Sequence, residues 1–156
     1  MIRVLFVCHG NICRSPMAEF ICKKKVRERG LTDRVYTESA ATSYEEIGNP
    51  VYPPARKKLT EKGITDFGQK RARHMERSDY EQFDYLIGMD NWNIRNMMRI
   101  LGSDPDDKVY MMMEFAGKSE EVDDPWYTGD FEGVYRQLDE ALDGLLDRIE
   151  GAKSIF

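Results

Sequence analysis

The chain has 156 residues, of which 41% are hydrophobic and 33% are charged. This length and composition are typical of one globular domain and exclude a disordered or collagen-like chain. A net charge of −5 argues against nucleic-acid partners, and three cysteines fit a reducing cytoplasm better than a disulfide framework. The apolar run at residues 2–7 is too short for a signal peptide or a membrane span, so we expect a cytoplasmic protein without a membrane partner.

The first element is a predicted buried strand at residues 2–7, because nearly all of its side chains are apolar. The strand leads into the short segment 8–16, which reads Cys-His-Gly-Asn-Ile-Cys-Arg-Ser-Pro. Ser15 followed by Pro16 predicts the start of a helix, with Ser15 as its N-cap. This helix is expected to run to Arg29, where a glycine follows. The chain therefore opens with a strand, a tight loop and a helix.

Strands and helices alternate along the rest of the chain. Strands are predicted at residues 34–40, 83–89 and 108–112, and helices at residues 55–62, 91–101 and 131–149. Asp90 is the predicted cap of the helix that follows it, and residues 117–124 are a polar loop. The last helix is the most regular, with apolar residues at i, i+3, i+4 and i+7 spacing. This alternation predicts a single α/β domain with a parallel sheet, whose ligands bind at the carboxyl ends of the strands.

The loop at such a strand end has the residues of an oxyanion site. Cys8 and Arg14 frame a Cys-x5-Arg segment that is short enough for its backbone N–H groups to converge on an anion. The helix behind the loop adds free N–H donors, and Arg14 adds a planar charged fork for two oxygens. Gly10 permits backbone conformations that other residues resist. Phosphate and other tetrahedral oxyanions are therefore the expected ligands.

The same positive field favours the thiolate form of Cys8, which predicts a nucleophile that faces the bound phosphate. The Ser15 hydroxyl is placed to stabilise this thiolate, in addition to or instead of capping the helix. A nucleotide-binding P-loop is excluded here, because this loop lacks the Gly-Lys pair of that motif. A zinc site from Cys8, His9 and Cys13 is disfavoured, because three clustered ligands at this spacing fit no common zinc motif.

Residues 8–16 closely resemble the signature loop of low-molecular-weight protein tyrosine phosphatases. Four further segments resemble motifs of that family in the same order: residues 38–43, 47–50, 83–90 and 124–127. The resemblance covers nearly the whole chain, residues 1–156, as one phosphatase domain. It implies a four-stranded parallel sheet flanked by helices, of the flavodoxin-like phosphotyrosine phosphatase type.

The resemblance also implies the reaction. Cys8 attacks the phosphorus of phosphotyrosine, Arg14 holds the phosphate oxygens, and Asp124 protonates the leaving group and later activates water. Ser15 assists as a fourth catalytic residue. No metal or other cofactor is implied, the partners are phosphotyrosine-containing proteins, and oxyanions are expected inhibitors. We expect a monomer or weak dimer. From the residues alone, Asp124 is also a plausible turn residue, and its neighbour Asp123 is a rival for the acid.

Further residues are expected to bind the phosphate or the substrate. They are His9, Gly10, Asn11, Ile12, Cys13, Trp126 and Tyr127. The resemblance implies that Asn11 holds the loop through Ser15 and Ser39, and that the two aromatic residues form a wall for the phenyl ring. It also implies a reversible disulfide between Cys8 and Cys13, with plain packing as the alternative role of Cys13.

The chain departs from the family pattern at two places. His9 stands where many members have Leu or Thr, and Lys70 is nearest to a position where the family often has a histidine.

Three alternative functions are less consistent with the sequence. An arsenate reductase needs further cysteines downstream, which are missing after Cys22. Protein arginine phosphatases resemble this family but have Thr where this chain has Ile12. An inactive phosphate-binding module predicts a damaged nucleophile, arginine or acid, and all three are present.

Overall fold

The computed structural model describes residues 1–154. Its strands are β1 (Ile2–Cys8), β2 (Val35–Ala41), β3 (Tyr85–Gly88) and β4 (Val109–Met111). They form one parallel sheet in the order β2-β1-β3-β4. The helices are α1 (Arg14–Glu28), α2 (Pro53–Glu61), α3 (Asp79–Gln82), α4 (Asn91–Leu101), α5 (Pro125–Thr128) and α6 (Phe131–Ser154). A 3₁₀ helix, Met112–Ala116, follows β4. The predicted α/β fold with a four-stranded parallel sheet is confirmed.

The central strand β1 is covered on both faces, which explains its continuous apolar run. Val4 and Phe6 belong to the core cluster that includes α1, α2 and α6. Leu5 and Val7 belong to the cluster on the opposite face, with α4 and the residues around α3. All four side chains are fully buried. Alternate residues of the strand therefore join two helical layers to one sheet.

The predicted start of α1 is wrong by two residues. The helix begins at Arg14, its N-cap is Cys13, and no side chain accepts a capping hydrogen bond there. Ser15 already lies in the first turn, because the loop curls tightly enough to place Arg14 in helical geometry. Pro16 is tolerated at this position because the first four N–H groups of a helix have no partner within the helix. The Ser15 hydroxyl is thereby left for another partner.

The other boundaries differ by at most two residues, except that α6 extends to Ser154 and not only to residue 149, and that three short helices were missed. Asp90 caps α4 as predicted, and its carboxylate accepts from the backbone N–H of Asn93 at 2.7 Å. The third and fourth strands are shorter than predicted, since α3 lies before β3 and the 3₁₀ helix follows β4. The helix α5 was not predicted at all. Elements of four or five residues are too short to show a helical period in the sequence.

The topology reverses between β1 and β3. The chain leaves β1 toward β2 on one side and leaves β3 toward β4 on the other. In open α/β sheets such a reversal opens a crevice at the carboxyl ends of the two strands. The loop after β1 and Asp90, which follows β3, meet at this crevice.

The long helix α6 packs against α1 on one face of the sheet. It packs closely on the 3₁₀ helix, and its buried stripe contains Val134, Leu138, Leu142, Leu145 and Ile149. Gly144 permits this close packing, because a Cβ there would clash with the Phe115 carbonyl oxygen. Across residues 1–154, no helix is both long and apolar enough to cross a lipid bilayer.

We expect Gly144→Ala to lower the free energy of unfolding by about 1–3 kcal/mol, because the added methyl group forces α6 away from the 3₁₀ helix. Urea denaturation measures this loss. The matched control is Gly68→Ala, at a glycine with nothing within 4 Å of the added Cβ. Equal stability of the two variants would show that the backbone contact at Gly144 relaxes freely.

Candidate active site

The loop between β1 and α1 folds back over its own first residue. Asn11 has a φ of 59°, a left-handed conformation that asparagine adopts more easily than most residues. This turn brings the Asn11 backbone N–H to 3.3 Å from the Cys8 sulfur. At least this loop N–H group therefore points toward Cys8, as expected for an oxyanion site.

The Asn11 side chain fastens the loop from behind. Its Nδ2 donates to Ser15 Oγ at 2.8 Å and to Ser39 Oγ at 2.9 Å, as predicted. Its Oδ1 accepts from the backbone N–H of Arg73 at 3.1 Å. Asn11 is only 1% exposed and does not line the cavity in front of the loop. Its side chain therefore holds the loop, and the expected contribution of Asn11 to phosphate binding stays a prediction.

Cys8 lies at the bottom of the site and is almost completely buried. Its sulfur is 3.0 Å from the Ser15 hydroxyl. Ser15 itself is fully buried and does not line the cavity, so it lies behind Cys8 as seen from the cavity. The N-terminus of α1 adds its positive dipole from the same side. The geometry suits a sulfur nucleophile with a hydroxyl partner.

Arg14 is buried and held by groups that lie far away in the sequence. Its Nη1 donates to Asp90 Oδ2 at 2.8 Å and to the Val122 carbonyl oxygen at 3.0 Å. Burial acts to lower the pKa of Arg14, but the Cys8 sulfur and the Asp90 carboxylate outweigh it and raise the pKa above its usual value. Sequence reasoning assigned Asp90 only a capping role. The position of Asp90 directly after β3, at the same sheet edge as Cys8, is the feature of the sequence that could have indicated its contact with Arg14.

Asp124 lies at the start of α5 and faces Arg14. One carboxylate oxygen, Oδ1, caps α5 by accepting from the Trp126 N–H at 3.1 Å. The other, Oδ2, lies 3.7 Å from Arg14 Nη2. The rival Asp123 does not line the cavity, and its backbone N–H donates to Gln137 instead. The structure thus brings Asp124, and not Asp123, to Cys8 and Arg14.

One cavity of about 260 Å³ is lined by all of the predicted site residues except Asn11 and Ser15. It is lined by Cys8, His9, Gly10, Ile12, Cys13, Arg14, Glu45, Glu46, Asp124, Trp126 and Tyr127. His9 stands at the mouth, where its Nε2 lies 3.1 Å from Glu45 Oε2. Trp126 and Tyr127 are 54% and 84% exposed, and exposed apolar rings beside a cavity are typical of a binding surface. Trp126 also contacts Tyr52, with 4.9 Å between ring centroids.

The other two thiols differ from Cys8 in their surroundings. Burial, followed by the nearby Cys8 sulfur, raises the pKa of Cys13, and burial raises the pKa of Cys22 to about 12. All three cysteines are free, so the disulfide between Cys8 and Cys13 stays a prediction. In the described part of the chain, no group of three or more His, Cys, Asp and Glu side chains is arranged to hold a metal ion.

Sequence comparisons find related proteins over nearly the whole chain. The sequence profile of the low molecular weight phosphotyrosine protein phosphatases matches residues 3–154. The chain is 36% identical to the low molecular weight protein-tyrosine-phosphatase YfkJ of Bacillus subtilis over 99% of this chain and 100% of that protein. It is 41% identical to the low molecular weight phosphotyrosine protein phosphatase of Schizosaccharomyces pombe, over 88% of this chain and 90% of that protein.

Solved structures give the same result. The crystal structure of YfkJ superposes with a TM-score of 0.93 and covers 98% of this chain and 97% of that chain. The crystal structure of DARP, a drosophila arginine phosphatase, is 31% identical with a TM-score of 0.84, and covers 95% and 98% of the two chains. The family profile matches nearly the full length of the chain, and several relatives are more than 30% identical to it. The chain belongs to the low-molecular-weight phosphotyrosine protein phosphatase family.

Proposed function

We propose that the protein hydrolyses phosphotyrosine in proteins, and small aryl phosphates, through a phosphocysteine intermediate. One observation carries the proposal: Cys8, Arg14 and Asp124 line a single cavity whose mouth has two exposed aromatic rings. A nucleophile, a phosphate clamp and a proton donor are the groups that such a phosphoryl transfer needs. Their convergence depends on the fold, since Asp124 lies far along the chain from the loop that contains Cys8 and Arg14.

In the first step the Cys8 sulfur attacks phosphorus in line with the ester oxygen. The S–P bond forms as the P–O bond to the aryl group breaks, and Asp124 gives its proton to the leaving phenolate oxygen. Arg14 and the loop N–H groups hold the three other phosphate oxygens and stabilise their charge in the transition state. Asp90 and the Val122 carbonyl hold Arg14 Nη1, which leaves Nη2 directed to the cavity side near Asp124.

In the second step water releases the phosphate. Asp124, now a carboxylate, takes a proton from a water molecule as the water oxygen bonds to phosphorus. The P–S bond breaks and Cys8 leaves as the thiolate, next to the Ser15 hydroxyl. Together the two steps consume one water molecule and return Cys8 and Asp124 to their starting protonation states. In this proposal the enzyme needs no metal or organic cofactor, because Arg14 and the loop supply the positive charge.

Substrate selection is assigned to the cavity mouth. Trp126 and Tyr127 form a wall for the phenyl ring, and Ile12 fills the side of the cavity with apolar bulk. An arginine phosphatase remains the second candidate, because the chain also resembles DARP. The bulk of Ile12, where the arginine phosphatases of this family have Thr, favours the aryl ester.

We also propose the compartment, oligomeric state and partners of the enzyme. Residues 1–156 act as one phosphatase domain in the cytoplasm, as a monomer or weak dimer, and without nucleic-acid or membrane partners. Three free cysteines support a reducing compartment. Inorganic phosphate and other oxyanions inhibit by occupying the loop between Cys8 and Arg14.

The direct test is hydrolysis of a phosphotyrosine peptide and a phosphoarginine peptide in the presence of a chelator. Phosphate release from phosphotyrosine alone, lost in Cys8→Ser, is the expected result. A preference for phosphoarginine would replace the proposed substrate and the Ile12 argument. Release from neither peptide would leave a phosphate-binding protein.

We expect Asp90→Asn to lower kcat/KM for an aryl phosphate about 10- to 100-fold, because Arg14 loses its charged partner. The amide also cannot serve Arg14 and the α4 cap together: with Oδ1 kept on Asn93, its NH₂ group faces the guanidinium. The matched control is Glu121→Gln, since Glu121 accepts from the Asn91 backbone N–H at the same helix start. Steady-state kinetics of both variants measure the difference. A similar loss in both would assign the effect to the α4 terminus.

A further inference from the structure

Residues 121–124, the acid loop, have no regular secondary structure, although they end on Asp124. One residue of the loop, Val122, is firmly fixed. Its backbone N–H donates to the Met89 carbonyl oxygen at 2.9 Å, and its own carbonyl oxygen accepts from Arg14 Nη1 at 3.0 Å. The Val122 side chain is only 1% exposed. Asp124 lies two residues further on, so its position needs a further support.

A glutamine of α6 holds the acid loop on both sides of Val122. Gln137 Nε2 donates to the Glu121 carbonyl oxygen at 3.3 Å, and Gln137 Oε1 accepts from the Asp123 backbone N–H at 3.1 Å. The amide can be oriented in one way only, because a carbonyl oxygen only accepts and a backbone N–H only donates. One planar amide thus joins the two peptide groups that flank Val122.

Gln137 extends from a firmly packed part of α6. Its helical neighbours Val134 and Leu138 are fully buried, and the helix packs against α1 and the 3₁₀ helix. The hydrophobic core therefore fixes the backbone that carries the amide. The amide is also uncharged, so it acts on the acid loop through geometry and not through an electrostatic field.

The geometry of the acid loop matters because Asp124 is not held in place by Arg14 alone. The 3.7 Å between Asp124 Oδ2 and Arg14 Nη2 is longer than a hydrogen bond. Proton transfer to a leaving group needs the two heavy atoms within about 2.6–3.2 Å of each other. The carboxyl group reaches that distance only if the backbone before it is well placed, and Asp123 is the residue immediately before it.

We propose that Gln137 is a positioning residue for the general acid Asp124. It holds the peptide groups on both sides of Val122, and thereby sets where the acid loop delivers the carboxyl group. Gln137 does not line the cavity, so it acts through the loop and not on the substrate. This inference rests on the proposed function for its effect on turnover, whereas its effect on the acid loop is measurable without any substrate.

The test uses Gln137→Met, because methionine keeps the length of glutamine without its amide. The matched control is Gln82→Met, at an exposed glutamine at the end of α3. The first readout is amide hydrogen exchange at Val122 and Asp123, followed by NMR. The second is kcat/KM for phenyl phosphate and for p-nitrophenyl phosphate, since kcat/KM reports the steps up to loss of the phenol.

In Gln137→Met, we expect the Asp123 amide to exchange about tenfold faster, because it loses its acceptor. The Val122 amide should keep its wild-type rate, because its bond to the Met89 carbonyl remains. kcat/KM should fall about tenfold for phenyl phosphate but less than about twofold for p-nitrophenyl phosphate, whose more acidic phenol leaves with little protonation. Gln82→Met should match the wild type in both readouts.

Two results would overturn the proposal. Unchanged exchange at Asp123 would show that Gln137 does not hold the acid loop. Faster exchange together with an equal fall in kcat/KM for both esters, or with no fall, would assign Gln137 a merely structural role. Gln137→Asn keeps the amide but is one methylene group too short for both partners, and it repeats both readouts should Gln137→Met fail to fold.

An Asp124→Asn background provides the second line of the test. If Gln137 acts through the Asp124 carboxyl group, Gln137→Met should cause no further fall in kcat/KM for phenyl phosphate in that background. A full additional fall would overturn the proposed route. A wild-type protein that hydrolyses neither aryl phosphates nor phosphotyrosine would refute the proposed function, whereas exchange at Asp123 would still decide whether Gln137 holds the acid loop.

Discussion

Cys8→Ser is expected to abolish turnover of phosphotyrosine peptides, with a fall in kcat of about 10⁴-fold or more. A serine hydroxyl is a weak nucleophile without an adjacent base, and no carboxylate or imidazole contacts the Cys8 sulfur among the hydrogen bonds of the described residues. Phosphate binding should persist, because Arg14 and the loop N–H groups are unchanged. Kinetics at saturating substrate and calorimetric titration with inorganic phosphate measure the two effects separately.

Cys13→Ser is the matched control for that experiment. Cys13 lies five positions further along the same loop and lines the same cavity, but burial raises the pKa of its thiol, which disfavours the nucleophilic form. Cys13→Ser should therefore retain most of kcat. Substantial turnover by Cys8→Ser, or equal losses in both variants, would contradict the assignment of the nucleophile.

Asp124→Asn is expected to lower kcat about 10²- to 10⁴-fold for phenyl phosphate, whose leaving group needs a proton. The loss should shrink for aryl phosphates with more acidic phenols, because those leave without protonation. The amide can still accept from the Trp126 N–H, so α5 should keep its N-cap. The measurement is a leaving-group series under conditions in which formation of the phosphocysteine limits the rate.

Asp123→Asn separates this effect from a general change of charge in the same loop. Asp123 carries the same charge one residue earlier but does not line the cavity. Its variant should keep near wild-type kcat across the series. A loss in Asp124→Asn that is equal for all leaving groups would point to a different acid.

The position of the loop and the residues that form it were largely predictable from the sequence, since they depend on neighbours along the chain. Cys8, Gly10 and Arg14 lie within seven residues, between an apolar strand and a helix start. Even there, the helix began earlier than the Ser-Pro pair suggested. The Ser15 hydroxyl has Asn11 and Cys8 as partners, and local capping preference could not anticipate that competition.

The rest of the site depends on contacts between distant segments. Arg14 and its partner Asp90 are 76 residues apart, and they meet because β1 and β3 are neighbours in the sheet. The sequence marked Asp90 as a helix cap, which it is, but one carboxylate has two oxygens and the second one holds Arg14. Similarly, the basic residues around Lys70 have the composition of a solvated surface, although the lysine itself is buried against Glu19.

By itself the sequence determined the order of the main strands and helices and the position of the loop between Cys8 and Arg14, because apolar periodicity and short-range backbone geometry are local properties. Only the tertiary structure decided which carboxylate holds Arg14, which of two adjacent aspartates faces it, and which groups the Ser15 hydroxyl contacts. Those outcomes follow from strand order and from the count of donors and acceptors in a buried space. Sequence spacing contains neither, because residues far apart in the chain become neighbours only when the sheet forms.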